Sequence, residues 1–239
     1  MNEVEIKLWR RVDRYVSFLN FIPFLKFVGV CNNLSFGIVD EKSDIDLFII
    51  AKKGRLFFVR TLVTFVFHLL GVRRHGDKIS SRFCLSFFVD DSRLSFADLA
   101  LSDDVYLAFW VKKIMPVFND GVFKDFVAAN TWIRSYFSTP IVMESCGNLR
   151  NKSVLRNILT FVFDGKFGDF IENLLSKWQL KRAALKMSNL EDQSGLIVSR
   201  NILKFHNVDR RRIYRRAWFD RFEDKNITTE KFLEIARFR

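Results

Sequence analysis

The chain has 239 residues, enough for one large domain or two small ones. Nearly half of them are hydrophobic and 28 are Phe, which excludes global disorder and provides for a substantial core. With 39 Lys and Arg against 27 Asp and Glu, the formal charge is +12, a balance that favours polyanionic partners such as nucleic acid, nucleotide phosphates or an acidic membrane surface. The surplus is concentrated towards the C-terminus, where residues 181–239 carry 15 Lys or Arg and 8 Asp or Glu. Cys31, Cys84 and Cys146 are odd in number and widely separated. They form no Cys-x-x-Cys pair, so neither a disulfide framework nor a zinc site is expected, and a reducing cytoplasm fits. The N-terminal residues Glu3, Glu5, Lys7, Arg10 and Arg11 carry no apolar signal core.

In chain order, Val4, Leu8, Val12, Val16 and Leu19 recur at helical spacing and predict an amphipathic helix over 3–20, ended by Pro23. Residues 24–31 read as a short buried strand, Asn32 and Asn33 as a polar turn, and Ile45 to Ile50 as a second strand with Asp46 its only charge. A long apolar helix is expected from Gly54 to Gly71. Interrupted by Arg60 and His68, it falls short of the roughly 20 residues a membrane span needs, so no stable membrane insertion is expected. Residues 82–89 read as a third strand. Beyond about residue 95 the pattern turns helical, with helices expected over 97–114, 121–137, 149–163, 167–188 and 208–223. Pro116, Pro140 and the Gly165/Gly168 region supply breaks, and Gly195 to Ser199 adds a short edge strand. The expected architecture is α+β: a small mixed sheet with helices over 1–95, then a mainly helical domain over 96–239.

The chemistry-bearing feature is Asp44-Ile45-Asp46-Leu47 at the start of the second strand. Residues two apart on a strand share a face, which sets these carboxylates side by side, about 6–7 Å apart. Unpaired like charges that close repel each other, and a divalent cation between them relieves the repulsion with oxygen ligands that suit Mg²⁺ or Mn²⁺. Two-metal phosphoryl transfer uses such a cluster to clamp the attacking and leaving oxygens. The structural alternative is two solvated acids at a strand N-terminus.

The stretch from Val28-Gly29-Val30-Cys31, through the turn, to Ser43-Asp44-Ile45-Asp46-Leu47-Phe48-Ile49-Ile50 resembles the DNA polymerase β-like nucleotidyltransferase superfamily in spacing, hydrophobic flanks and element order. Residues Ser43 to Arg60, with Ile197-Val198-Ser199 and Leu203-Lys204-Phe205-His206, resemble an uncharacterised microbial branch of it. The resemblance implies transfer of a nucleoside monophosphate from an NTP to an acceptor hydroxyl, with Asp44 and Asp46 as catalytic metal ligands. Asn32, Asn33, Ser43, Lys52 and Lys53 then become nucleotide-binding candidates. Two departures stand out. Asn32-Asn33 replaces the family's Gly-Ser turn, and Ser86 stands where many active members carry a third carboxylate. Serine does not serve as a general base.

Further basic residues cluster at Arg73, Arg74, His75, Lys78 and Arg82, and at Arg211, Arg212, Arg215 and Arg216, which share a stripe suited to phosphate or RNA backbone. The alternative for each group is a solvated face. His206, lacking metal-ligand spacing, reads as structural, and Trp178 and Trp218 as helical core. Three functions compete: a metal-dependent nucleotidyltransferase with an unidentified acceptor, a weakened nucleotide- or RNA-binding module, and a toxin–antitoxin-type interaction protein on the same fold.

Overall fold

A computed structural model describes residues 1–138, 153–188, 195–205 and 209–237. The architecture is α+β, built on a six-stranded mixed sheet with the order β4-β1-β2-β3-β6-β5. The strands are β1 (Leu25–Cys31), β2 (Ile45–Ala51), β3 (Phe83–Asp90), β4 (Met115–Asn119), β5 (Leu196–Val198) and β6 (Ile202–Phe205). β2 and β3 run parallel, joined by a helical crossover, and every other neighbouring pair is antiparallel.

Both faces of the sheet are covered, so the central strands read as nearly unbroken apolar runs. Along β2, Ile45, Leu47, Ile49 and Ala51 point to one core while Phe48 and Ile50 point to the other. The first core is closed by α1 (Glu3–Val16) and α3 (Leu56–Leu69), with α6 (Val154–Phe163) and α7 (Lys166–Met187) packed outside them. The second is closed by α4 (Val105–Lys112), α5 (Phe123–Ala129), α8 (Arg211–Phe219) and α9 (Thr229–Arg237). Gly29 shows how tightly β1 is packed: a Cβ there would meet Ile114 and Phe27 side-chain carbons at 2.7 Å.

Several expectations are corrected. The division near residue 95 does not coincide with a break in the sheet, because β4, β5 and β6 all come from beyond it. Pro116 lies within β4, which tolerates it as an edge strand. The single helix expected over 97–114 is a 3₁₀ turn at Ala97–Leu99 followed by α4, whose N-terminus Asp104 caps by accepting from the Leu107 N–H at 2.9 Å. The segment 121–137 likewise divides into α5 and a 3₁₀ stretch, Thr131–Tyr136. The polar turn at Asn32-Asn33 is a short helix, α2 (Asn32–Phe36), ended by Gly37 in the left-handed conformation. Pro140, Cys146, His206 and the start of the helix expected over 149–163 lie outside the described residues.

No helix among the described residues is long and apolar enough to cross a membrane. The N-terminus of α3 is held from across the fold. Arg55, its N-cap residue, makes no side-chain cap; instead the Glu172 carboxylate on α7 accepts from the Phe57 and Phe58 N–H groups at 3.0 and 2.8 Å. Arg55 itself is buried and donates to Asp169 at 2.6 Å.

Candidate functional site

Three strands place the acidic pair. Asp46 is level with Cys31 on β1 and Cys84 on β3, so the three form one row across the sheet, and Asp44 lies just before β2. Ligating atoms of Asp44, Asp46 and Cys84 lie within 4.8 Å of one another. Arg74 donates to Asp44 Oδ2 at 2.6 Å. Asp44 precedes the first strand residue, Ile45, so the strand period alone does not set its carboxylate beside that of Asp46.

Asn32 is held in the left-handed region (φ 57°) directly after β1. Its Oδ1 accepts from Trp110 Nε1 at 2.8 Å and from the Tyr106 hydroxyl at 3.4 Å. That leaves its amide N–H group for Asp46, with which it is hydrogen-bonded. Asn tolerates this backbone region better than most residues.

The electrostatics are those of a crowded acid. Burial, and then the Asp44 charge, push the Asp46 carboxyl up to about 6, against the opposing pull of Asn32, Cys84 and Arg74. Burial, followed by the Asp46 charge, also drives the Cys84 thiol upward, and Cys31 is raised for the same reasons. Ser86, the residue beyond the next on β3, accepts from Cys84 Sγ at 3.4 Å. Neither side chain beside Asp46 on β3 is therefore a proton acceptor near neutral pH.

The acidic pair opens into a cavity of about 1350 Å³. Its walls include Asn33, Arg60, Arg73, Trp178, Arg182, Lys204 and Arg211. Among the described residues, the outer edge of β3 is paired at Phe83 with Arg73 and from Phe87 onward with β6, beginning at Lys204. Leu85 and Ser86, between these on β3, line the cavity.

Of the residues singled out from sequence, Asp44, Asp46, Asn32 and Asn33 meet at this cavity. Lys52 and Lys53 do not. They follow β2 at its other end, about 20 Å from Asp46 by the rise of an extended strand. There Lys52 pairs with Asp164 at 3.1 Å and the Lys53 N–H donates to Asp91 at 2.8 Å. Ser43 is turned away as well: its hydroxyl donates to Asp40 Oδ1 at 2.9 Å and accepts from the Asp40 N–H, closing the loop before β2.

The four-arginine stripe is divided. Arg211 is mostly buried, bound to Asp209 at 2.6 Å and to Asp104 at 3.4 Å, and it alone of the four lines the cavity. Arg212 is exposed, Arg215 lies 3.9 Å from Asp103, and the exposed Arg216 lies 3.8 Å from Asp220. Trp218 is core, whereas Trp178 is half exposed on the cavity wall. Sequence reasoning missed Cys84, Tyr106 and Trp110 as site residues. Cys84 becomes visible only through its register with Asp46, and the other two through the packing of α4 against β1.

Compared with protein-family models, with curated proteins and with solved structures, the chain gives no match.

Proposed function

We propose that this chain is a metal-dependent nucleotidyltransferase of the DNA polymerase β-like kind, transferring a nucleoside monophosphate from an NTP to an acceptor hydroxyl. The observation that carries the reading is the meeting of Asp44 and Asp46 at the wall of a large cavity also lined by Arg60, Arg73, Arg74, Arg182 and Lys204. The donor set suits Mg²⁺ or Mn²⁺: two carboxylates, with the remaining oxygens left to phosphate and water. In the metal-free site, burial and then the Asp46 charge keep Cys84 a neutral thiol. When bound, such a cation supplies Lewis-acid stabilisation of phosphoryl oxygens.

The chain's own residues do the rest. Asn32, fixed by Trp110 and Tyr106, orients Asp46. Arg74 holds Asp44 and brings a guanidinium to the place where phosphate charge gathers. Ser86 and Cys84 supply no base, so turnover is expected to be slow.

That same missing base favours one competing reading, a module that binds nucleotide without turning it over. Two measurements separate them. Calorimetry with NTP and Mg²⁺ gives binding by the wild type that is lost in Asp44→Asn and Asp46→Asn. Pyrophosphate release from the four NTPs, with cell extract as the acceptor pool, then reports turnover. Binding without release supports the module. Equal NTP binding by the wild type and both variants removes the site assignment altogether.

A further inference from the structure

Arg60 rises from the middle of α3 on the sheet face opposite Asp46. Its guanidinium lies 5.8 Å from the ring centre of Phe88 and 4.8 Å from that of Phe205. Phe88 belongs to the core under α3, while Asp46 alternates with Leu47 of that core and so points to the other face. Phe88 is level with Ile49, three residues or about 10 Å along β2 from Asp46. Arg60 Nη1 donates to Gln179 on α7, but its Nε is buried without a partner.

Burial, and then the neighbouring cations Arg73 and Arg182, lower the pKa of Arg60 to about 10. No ion pair among the described residues reaches any of the three. Arg55, Arg74, Arg156 and Arg211, by contrast, each hold a carboxylate. Three guanidiniums that hold no carboxylate among the described residues repel each other, and all three line the cavity. Planar, fixed guanidinium forks match phosphate oxygens, and a phosphate among them removes the repulsion and satisfies the open Nε.

We propose that Arg60, Arg73 and Arg182 form a second anion site that binds a phosphate group of the acceptor substrate, separate from the NTP phosphates gathered at Asp44 and Asp46. The word acceptor rests on the transferase reading; the anion site does not. Both poles line the same cavity, which also includes Leu85 and Ser86 of β3 between them. The substrate class is thus a phosphorylated hydroxyl compound, one end anchored at the arginines and its hydroxyl directed to the acidic pair.

Inorganic pyrophosphate titrated calorimetrically in EDTA tests the site without a metal. The wild type binds it, and so do Asp44→Asn and Asp46→Asn, which lack the metal ligands. Arg182→Gln and Arg73→Gln, both at accessible positions, weaken binding roughly 10- to 100-fold, as loss of a charge-assisted contact does. No metal-free binding by the wild type, or unchanged binding in both arginine variants, overturns the site. A second arm uses inorganic phosphate with Mg²⁺ and a saturating non-hydrolysable NTP. Simultaneous binding supports a separate acceptor pole, and competitive displacement overturns it. Failure of the transferase reading shows instead in the Asp variants' NTP binding and leaves the EDTA arm untouched.

Discussion

Replacing Asp46 by Asn tests the electrostatic account of the site through stability alone. The carboxyl stands at about 6 in the folded chain, against an ordinary 3.8, chiefly through burial and then through Asp44. Between those values the folded state holds a proton that the unfolded chain has released. Stability therefore falls as pH rises through this window and stays reduced above it. A shift of about two units corresponds to roughly 3 kcal/mol, and partial solvent access makes about 2–3 kcal/mol the working figure. In EDTA at pH 7.5, Asp46→Asn should accordingly be about 2–3 kcal/mol more stable than wild type, since Asn keeps the Asn32 contact without the charge. At pH 3, below both values, the two should coincide, because protonated Asp is nearly isosteric with Asn. Urea unfolding at the two pH values, with equal slopes, measures the difference. Saturating Mg²⁺ should shrink it at pH 7.5 by stabilising the wild type alone. A variant no more stable than wild type at pH 7.5, or a difference that ignores pH, would refute the claim that Asp46 is a crowded, destabilised acid.

Two further outcomes are expected. Glu172→Ala strips the only side-chain acceptor from the Phe57 and Phe58 N–H groups at the α3 terminus, and should cost about 2–4 kcal/mol in urea unfolding. A loss below about 0.5 kcal/mol would show that water replaces the cap. Cys84→Ala removes the soft ligand grouped with both carboxylates, so calorimetry should show weakened Zn²⁺ binding with Mg²⁺–NTP binding intact. Loss of both would mean that Cys84 supports the fold of the site and not its choice of metal.

What was legible in the sequence follows from periodicity. β1, β2 and β3 could be read because each is an apolar run bounded by polar residues, and the position of Asp46 in such a run marked it as exceptional. The nearness of Asp44 and Asp46 was expected from the strand period, although Asp44 lies just before the strand. Lys52 and Lys53 misled because nearness in sequence becomes distance along an extended strand. Arg211 misled for another reason. A helical stripe shows which residues share a face, but not that Asp104 and Asp209 would claim one of them. β4 and β6 were hidden by their length and, in β4, by Pro116, since short edge strands carry little pattern of their own. Glu172 was beyond reach: a cap supplied from 115 residues away leaves no local signal.

The same long-range closure explains why the site lies where it does. β3 is the last strand of the N-terminal run, and its outer edge is left open until the chain returns with β6 near residue 202. Among the described residues, β6 pairs with Phe87 to Val89 and the loop after α3 pairs with Phe83. The edge of a sheet is commonly protected by charge or taken up by a binding function. Here Arg73 and Lys204 stand on either side of Leu85 and Ser86. Burial and then Arg211 lower the pKa of Lys204, against the opposing pull of Asp209 and Asp104. Cations along this edge repel a neighbouring copy of this basic chain while attracting phosphate. The residues that guard the edge are thus the ones that would gather substrate towards Asp44 and Asp46.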